Sequence, residues 1–364
     1  QASRSRLHWT SSRACAPRCN RPSLSRVDRE QVPRHAPDLI QVAGGIWSIS
    51  LPTPWPVGPV NVYLVDDDPL TLLDTGPDWP ISIAALQHAM SSLGRNVEDI
   101  ERVIVTHQHL DHAGQAGSVI ERSGAELCAL DGLVEWLATY PASAESEDLL
   151  ANRILRRHGA SDEALEAVWT HNVETRSFGK RAIVSHSLAD GDTLEFADRR
   201  LRVLHRPGHS PSDTVFYDEQ RGILLAGDVL LAHVKSSAVI APPLDGSEVH
   251  VRPRAFVRYL ESLRAVQEMD LEVVLPGHGA PIHDHRALIA ERLERYDRTT
   301  NRVATLLSVQ ARTASELALA LRGSIPAPGS FFALCELLGH MDRLLDAGTA
   351  VEFDAAGLKR FALA

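Results

Sequence analysis

Between Thr106 and Gln115 the chain reads His107-Gln-His109-Leu-Asp111-His112, four side chains of metal-ligating type within six residues. Imidazole nitrogens and carboxylate oxygens are the donors that hold zinc or iron. The run Val103-Ile104-Val105 just ahead has the length and apolarity of a buried strand, and Ala113-Gly114 just behind opens a stretch that reads as helix through Val119 and Ile120. On a tight turn leaving a strand, alternate side chains point to different sides. His107 and His109 can therefore serve one ion while Asp111 and His112 serve a second. A lone histidine would read as a surface residue in a polar loop, but this density of donors does not.

Further donors follow downstream, each at the end of an apolar run. Leu201-Arg-Val203-Leu204 leads into His205-Arg-Pro207-Gly208-His209, Ile223-Leu224-Leu225-Ala226 into Gly227-Asp228, and Val273-Val274-Leu275 into Pro276-Gly277-His278-Gly279. Strand ends suit binding sites because the sheet fixes the backbone while the loop residue projects free. The glycines let the chain turn sharply beside each donor.

Taken together, His107, His109, Asp111 and His112, then His209, Asp228 and His278, resemble the metal-binding set of the metallo-β-lactamase superfamily. Asn61-Val-Tyr-Leu-Val and Leu72-Leu-Asp74-Thr-Gly76 resemble that family's opening strands and its aspartate turn, so the likeness spans about residues 38–285. The resemblance implies that His107, His109 and His209 bind one metal and Asp111, His112 and His278 a second, with Asp228 bridging. It implies that Asp74 orients a ligand histidine through a hydrogen bond. The commonest zinc β-lactamases carry a cysteine where this chain has Asp228, and the diiron flavoprotein reductases carry an acidic residue where it has His109. The set resembles instead the glyoxalase II type of hydrolase, which acts on thioesters and related acyl compounds. Lactonases, esterases and RNA-processing nucleases share it, so the site does not by itself choose the substrate.

The implied activity is hydrolysis of an ester, thioester or lactone carbonyl in a small-molecule acyl substrate, by a hydroxide held between two divalent ions. Zinc is the first choice, and iron or manganese suit the same ligands. Asp111 is the candidate for orienting the nucleophile and moving its proton. His233, shortly after Asp228, is a candidate for meeting the leaving group, with a plain surface position as the other reading. Trp55, in the stiff segment Pro54-Trp55-Pro56-Val57-Gly58-Pro59, is expected as an exposed aromatic that contacts an apolar substrate portion. The alternatives are a metal-dependent RNA endonuclease and, less favoured, a β-lactam hydrolase.

The elements that must position these residues fall into two strand series. Ile46–Leu51, Val62–Val65, Thr71–Asp74, Val103–Val105 and Leu127–Leu130 form the first, with a helix through Ile83, Leu86, Met90 and Leu93 that stops at Gly94. The second begins near Leu194 and continues through Leu201–Leu204, Thr214–Tyr217, Ile223–Ala226 and Val273–Leu275. Between them, residues 132–180 read as a helical insertion (Leu133–Leu137, Asp148–His158, Asp162–His171) that either packs over a sheet or shapes an acyl pocket. His158, His171 and His186 read as isolated surface residues. The expected fold is α/β, a four-layer αββα sandwich over residues 36–285 with its site at the sheet edges.

Residues 286–364 read as a small winged-helix-like module: one helix through Ile289, Leu293, Tyr296, Thr300, Val303 and Leu307, a second opened by Thr313-Ala-Ser315-Glu316, a third over Phe331–Leu345, and a hairpin around Asp354-Ala-Ala-Gly357. Its order resembles the appendage of the β-lactamase-like protein 2 group, which includes RNA-cutting members. Residues 300–364 nevertheless balance six basic against six acidic side chains, which supplies no basic face for a phosphate backbone. Packing or homodimer assembly is the expected role.

Composition agrees with an enzyme that has a sizeable core: 364 residues, 44% hydrophobic and 23% charged. A net charge of −10 gives no general attraction to nucleic acid or anionic membranes. No apolar stretch approaches the roughly 20 residues that span a bilayer. Cys15, Cys19, Cys128 and Cys335 are too scattered for a disulfide framework, so the reducing cytoplasm is the expected compartment. Residues 1–35 stand apart, with eight arginines against Asp28 and Glu30 and a composition like that of a transit peptide; a disordered extension is expected there.

Overall fold

The computed structural model describes residues 38–244, 249 and 251–364; segment 1–35, with Cys15 and Cys19, lies outside the described residues. Strands that are apolar on both faces organise the rest. β1 (Leu39–Ala43), β2 (Ile46–Leu51), β3 (Val60–Val65), β4 (Thr71–Leu73), β5 (Arg102–Val105), β6 (Glu126–Leu130) and β7 (His186–Leu188) form one sheet in that spatial order. Its first four strands are an antiparallel meander and its last four run parallel. Parallel neighbours require crossovers, supplied by α1 (Pro80–Ser92), α2 (Leu110–Ala113) and α3 (Ala116–Ser123), and beyond β6 by α4 (Leu133–Ala138), α5 (Ala142–Arg157) and α6 (Asp162–Thr175). These last three are the expected insertion. The second sheet has the order β12-β11-β10-β9-β8, where β8 is Thr193–Glu195, β9 Arg200–His205, β10 Thr214–Asp218, β11 Ile223–Gly227 and β12 Val273–Pro276. Only β11 and β12 run parallel, joined through α7 (Ala255–Gln267).

The two-residue period of a strand sorts its side chains into separate cores. Val103 and Val105 of β5 pack with Leu86 and Met90 of α1, whereas Ile104 between them packs with Phe216 and Leu225 of the other sheet. In β11, Ile223 and Leu225 face the first sheet, while Leu224 and Ala226 face Tyr259 and Leu263 of α7. Helix, sheet, sheet, helix is therefore the order of layers, as expected. The sequence reading places no strand before Ile46 and none between Leu130 and Leu194, yet β1 and β7 both form. In β7 only Leu188 is buried, and in β1 no residue is, so neither carries a readable alternation.

After β12 come α8 (His285–Leu307), α9 (Ala314–Arg322), α10 (Ser330–Asp346) and the antiparallel pair β13 (Ala350–Ala355) and β14 (Leu358–Leu363). The Thr313/Glu316 capping box that opens α9 has both of its hydrogen bonds, 3.2 and 2.8 Å. Leu317, Leu334, Leu338 and Met341 of this region share one core with Leu150, Ile154, Leu155 and Leu165 of the insertion. His158 is correspondingly buried rather than on the surface, its ring stacked on Phe361 at 6.0 Å. Among the described residues no helix is long and apolar enough to cross a membrane.

Candidate metal centre

The metal-type side chains gather at one edge of the sandwich, where β5, β11 and β12 end. Tyr63 Oη donates to Pro276 O and Asn61 N to Gly277 O, each at 2.7 Å, which ties β3 to the end of β12. Thr214 N donates to Thr106 O at 3.0 Å, which ties β10 to the end of β5, and Gly277 N donates to Gly227 O at 2.7 Å, which joins the ends of β11 and β12. The segment after β5 delivers His107, His109, Asp111 and His112, the β9–β10 loop delivers His209, and the segments after β11 and β12 deliver Asp228 and His278.

All seven side chains converge. His109 Nδ1 lies 3.1 Å from His107 Nε2 and 2.8 Å from His209 Nε2. Asp111 Oδ2 is 3.3 Å from His278 Nε2. The Asp228 carboxylate stands between these groups, with Oδ1 3.4 Å from His112 Nε2 and Oδ2 3.6 and 3.7 Å from His209 Nε2 and His278 Nε2. Three overlapping triads follow: His107, His109 and His209; His107, His112 and Asp228; Asp111, His112 and His278. Donors about 2.0–2.1 Å from a tetrahedral zinc lie about 3.3 Å from one another, so the spacing fits a shared cation. Three of the atoms facing inward, His112 Nε2, Asp228 Oδ1 and His278 Nε2, are buried with no hydrogen-bond partner. Leaving a buried polar atom unpaired costs about 1–3 kcal/mol, and a divalent ion removes that cost.

The outward nitrogens of His107, His112, His209 and His278 are held. Asp74 Oδ2 accepts from His112 Nδ1 at 2.8 Å, and the same carboxylate accepts from Thr106 N and Oγ1 at 2.8 and 2.9 Å. Asp74 adopts φ 58°, a left-handed conformation that a non-glycine residue rarely takes, and its three hydrogen bonds fix it there. His107 Nδ1 contacts Thr106 Oγ1 at 2.9 Å, His209 Nδ1 donates to Ser237 O at 2.8 Å, and His278 Nδ1 donates to Pro59 O at 2.8 Å. Each contact turns the remaining nitrogen of its ring toward the cluster. Burial and neighbouring imidazoles hold His107 and His109 below the usual imidazole pKa, so both present lone pairs. Burial opposes charge on His112 as well, but Asp228, Asp74 and Asp111 together raise its pKa well above the ordinary value. The carboxylates thus make the pocket one that favours positive charge.

Gly277 permits this convergence. A Cβ there would lie 2.4 Å from Asp228 Oδ1 and 2.6 Å from His112 Cε1. Trp55 is not the exposed aromatic expected: it is half-buried, its ring edge-on to Phe178 at 5.6 Å, because the end of the insertion folds back over the loop. His233 is exposed and lies over Gly279, whose φ of +80° and absent Cβ leave room for the imidazole. The sequence reading passes over a polar chain behind the motif. Gln108 Oε1 accepts from Ser212 Oγ, and Gln108 Nε2 donates at 3.2 Å to Glu147 of α5, which also accepts from Trp136 Nε1 at 2.9 Å. Only the position of Gln108 between two histidines signals it; Glu147 and Ser212 are brought there by tertiary structure.

Comparison with known proteins agrees with this geometry. The family model described as "Metallo-beta-lactamase superfamily" matches residues 55–278. The "Probable metallo-hydrolase YqjP" of Bacillus subtilis is 30% identical over 310 residues, covering 84% of this chain and 93% of that protein. The human "Acyl-coenzyme A thioesterase MBLAC2" is 27% identical over 236 residues, 60% of this chain and 72% of that one. Among solved structures, a beta-lactamase domain protein from Burkholderia ambifaria superposes with a TM-score of 0.77 at 25% identity, over 90% of this chain and 95% of its own. With its fold, its strand-end donors and these likenesses, the chain belongs to the metallo-beta-lactamase superfamily.

Proposed function

We propose that this metallohydrolase cleaves the carbonyl of an ester, thioester or lactone at a centre of two divalent ions. The observation that carries the reading is the place of Asp228, whose two oxygens lie within 3.4–3.7 Å of His112, His209 and His278. A carboxylate there could serve two ions. His107, His109 and His209 would hold one, Asp111, His112 and His278 would hold the other, Asp228 would be shared between them, and Asp74 steadies His112. Zinc is the first choice for a nitrogen and oxygen set, with iron and manganese next. Bound there, the ions supply Lewis acidity for the carbonyl oxygen and acidify the attacking water.

The protein's own groups do the rest. Burial pushes the Asp111 carboxyl up, but His112 and His278 hold it below the usual range, so it is ionised and able to accept a hydrogen bond from the attacking water. Its side chain is 15% exposed where Asp228 is 7%, which makes it the carboxylate that substrate and solvent reach. No serine or cysteine nucleophile is needed. His233, exposed beside Gly279, is the candidate for meeting the leaving group. The thioesterase name of the human relative favours a thioester among the acyl substrates. A nuclease is disfavoured by the C-terminal region, where Arg343, Lys359 and Arg360 are each paired with a carboxylate.

The test is elemental analysis of the purified protein with a parallel screen of thioesters, lactones, aryl esters, a β-lactam and single-stranded RNA. Close to two ions per chain are expected, with thioester or ester turnover that chelation abolishes. Asp228→Ala should lower turnover more than His278→Ala, because it loosens both ions. At most one ion after reconstitution, or RNA cleavage without acyl turnover, overturns the reading.

A further inference from the structure

Behind His209 the structure has a second cavity, of about 350 Å³, between the Lys235–Ala238 segment and helices α8–α10. One wall is the segment that holds His209: Ser237 O accepts from His209 Nδ1 at 2.8 Å, and Ser236 Oγ is 3.0 Å from the same nitrogen. A single imidazole therefore separates the cavity wall from the metal cluster. The opposite wall belongs to the C-terminal region, which contributes Arg322, Ser324, Phe332 and Glu336.

The charges in this cavity do not cancel. Lys235 Nζ lies 2.5 Å from Glu336 Oε1, and Arg322 pairs with the other oxygen of the same carboxylate. Two cations thus share one anion, and both are partly exposed to the cavity mouth. Burial raises the Glu336 carboxyl, but Lys235 and Arg322 hold it below the ordinary value, so it stays ionised and the pair of cations is not reinforced by its protonation. His340, one turn further along α10, is pushed down to about 4 by burial and adds no charge at neutral pH. The net is one positive charge at the mouth. Deeper walls are apolar, formed by Phe256 and Tyr296, and Phe332 stands 48% exposed at the rim. A polar end and an apolar body is the pattern of a small-ligand site, and the volume lies in the usual range of about 300–1,000 Å³.

We propose that this cavity binds a small organic oxyanion, a carboxylate or phosphate on a short apolar stem, held by Lys235 and Arg322 beside the metal centre. The occupant is a free organic acid, such as the product of acyl hydrolysis, because His209 and the serine pair on its outer nitrogen stand between the cavity and the metal cluster. The site itself stands apart from the functional reading; only the kinetic comparison below rests on it. Because the wall is the Ser236–Ser237 pair on His209, occupancy bears directly on one face of the proposed catalytic centre.

The metal-loaded full chain is titrated calorimetrically with hexanoate and with n-butylphosphonate. Wild type should bind at least one of the two, and the double variant K235M/R322M should bind it at least tenfold more weakly with unchanged metal content. Should that variant fail to fold, Ser324→Asp places a repelling charge on an exposed lip and should weaken binding in the same direction. Binding unaffected by these changes, which direct coordination to the metals would give, overturns the proposal, as does no binding to wild type. Kinetics then read the coupling to the proposed catalytic centre. Hexanoate should alter turnover of the butanoyl thioester of 2-mercaptoethanol in wild type and not in K235M/R322M. Absence of all acyl turnover would fail the functional reading and leave the calorimetric result to decide the site.

Discussion

The residue on which most of the centre's geometry turns is one without a side chain. Gly277 lies against Asp228 and His112, and the smallest added group there would meet them at 2.4 and 2.6 Å. Contacts that short force movement, and neither neighbour has room to give: His112 is fully buried and hydrogen-bonded to Asp74, and Asp228 is 6% exposed. Gly277→Ala is therefore expected to displace the proposed bridging carboxylate without disturbing the sheets. Metal content should fall by about one ion per chain and turnover by at least tenfold, with far-ultraviolet circular dichroism unchanged. Elemental analysis of the variant checks this; a full metal complement with wild-type turnover would show that the pocket relaxes around the extra carbon. The donors themselves were legible from residue type and spacing, because ligand chemistry is written in side-chain identity. Their supports were not. Pro59 and Ser237 hold His278 and His209 through backbone carbonyls, which every residue possesses, so no residue type marks them in advance.

At the scale of elements, α5 reaches the metal-binding segment through one carboxyl group. Glu147 accepts hydrogen bonds from Gln108 and Trp136, yet burial pushes its pKa up to about 7 against those bonds. The folded protein therefore binds a proton at Glu147 that the unfolded chain has already released, between the ordinary glutamate pKa and about 7. Stability contributed by the neutral carboxyl is present below that window and is lost as pH rises through it. Glu147→Gln keeps an acceptor for both donors and removes the titration. It should match wild type near pH 4 and exceed it at pH 8, by about 1–3 kcal/mol from a displacement of this size. Denaturation midpoints of the two proteins across that range measure it, and a constant difference would place the titration elsewhere. Helices α4–α6 were readable because their apolar residues recur at helical spacing over long segments. What they touch was not: Glu147 lies far along the chain from Gln108, and no local pattern pairs them. The same limit hid β7, which holds a place in the sheet through its pairing with β6, with Leu188 as its one buried side chain.

Over the whole molecule, the helical insertion and the C-terminal region solve each other's burial problem. Helices α5 and α6 present Leu150, Ile154, Leu155, Leu165 and Val168, and α9 and α10 cover them with Leu317, Leu334, Leu338 and Met341. Sequence periodicity shows that each helix has an apolar face but not which face meets which, so two regions far apart along the chain read as an insertion and an appendage. Because they share one core, they should open together. Leu338 is fully buried in that core, and truncating such a side chain costs about 2–5 kcal/mol. In Leu338→Ala, amide hydrogen exchange should accelerate in α10 and in α5 to a similar degree, since both belong to one cooperative unit. Strands β5 and β11, packed in the cores on either side of the sheets, should keep their protection. Acceleration confined to α10 with α5 unchanged would mean that the C-terminal region is an independent body resting on the insertion. Joint acceleration would also explain how the cavity beside His209 is kept in place. Its Arg322 and Glu336 come from α9 and α10, so the stability of that wall is the stability of the shared core rather than of the metal-binding sheets.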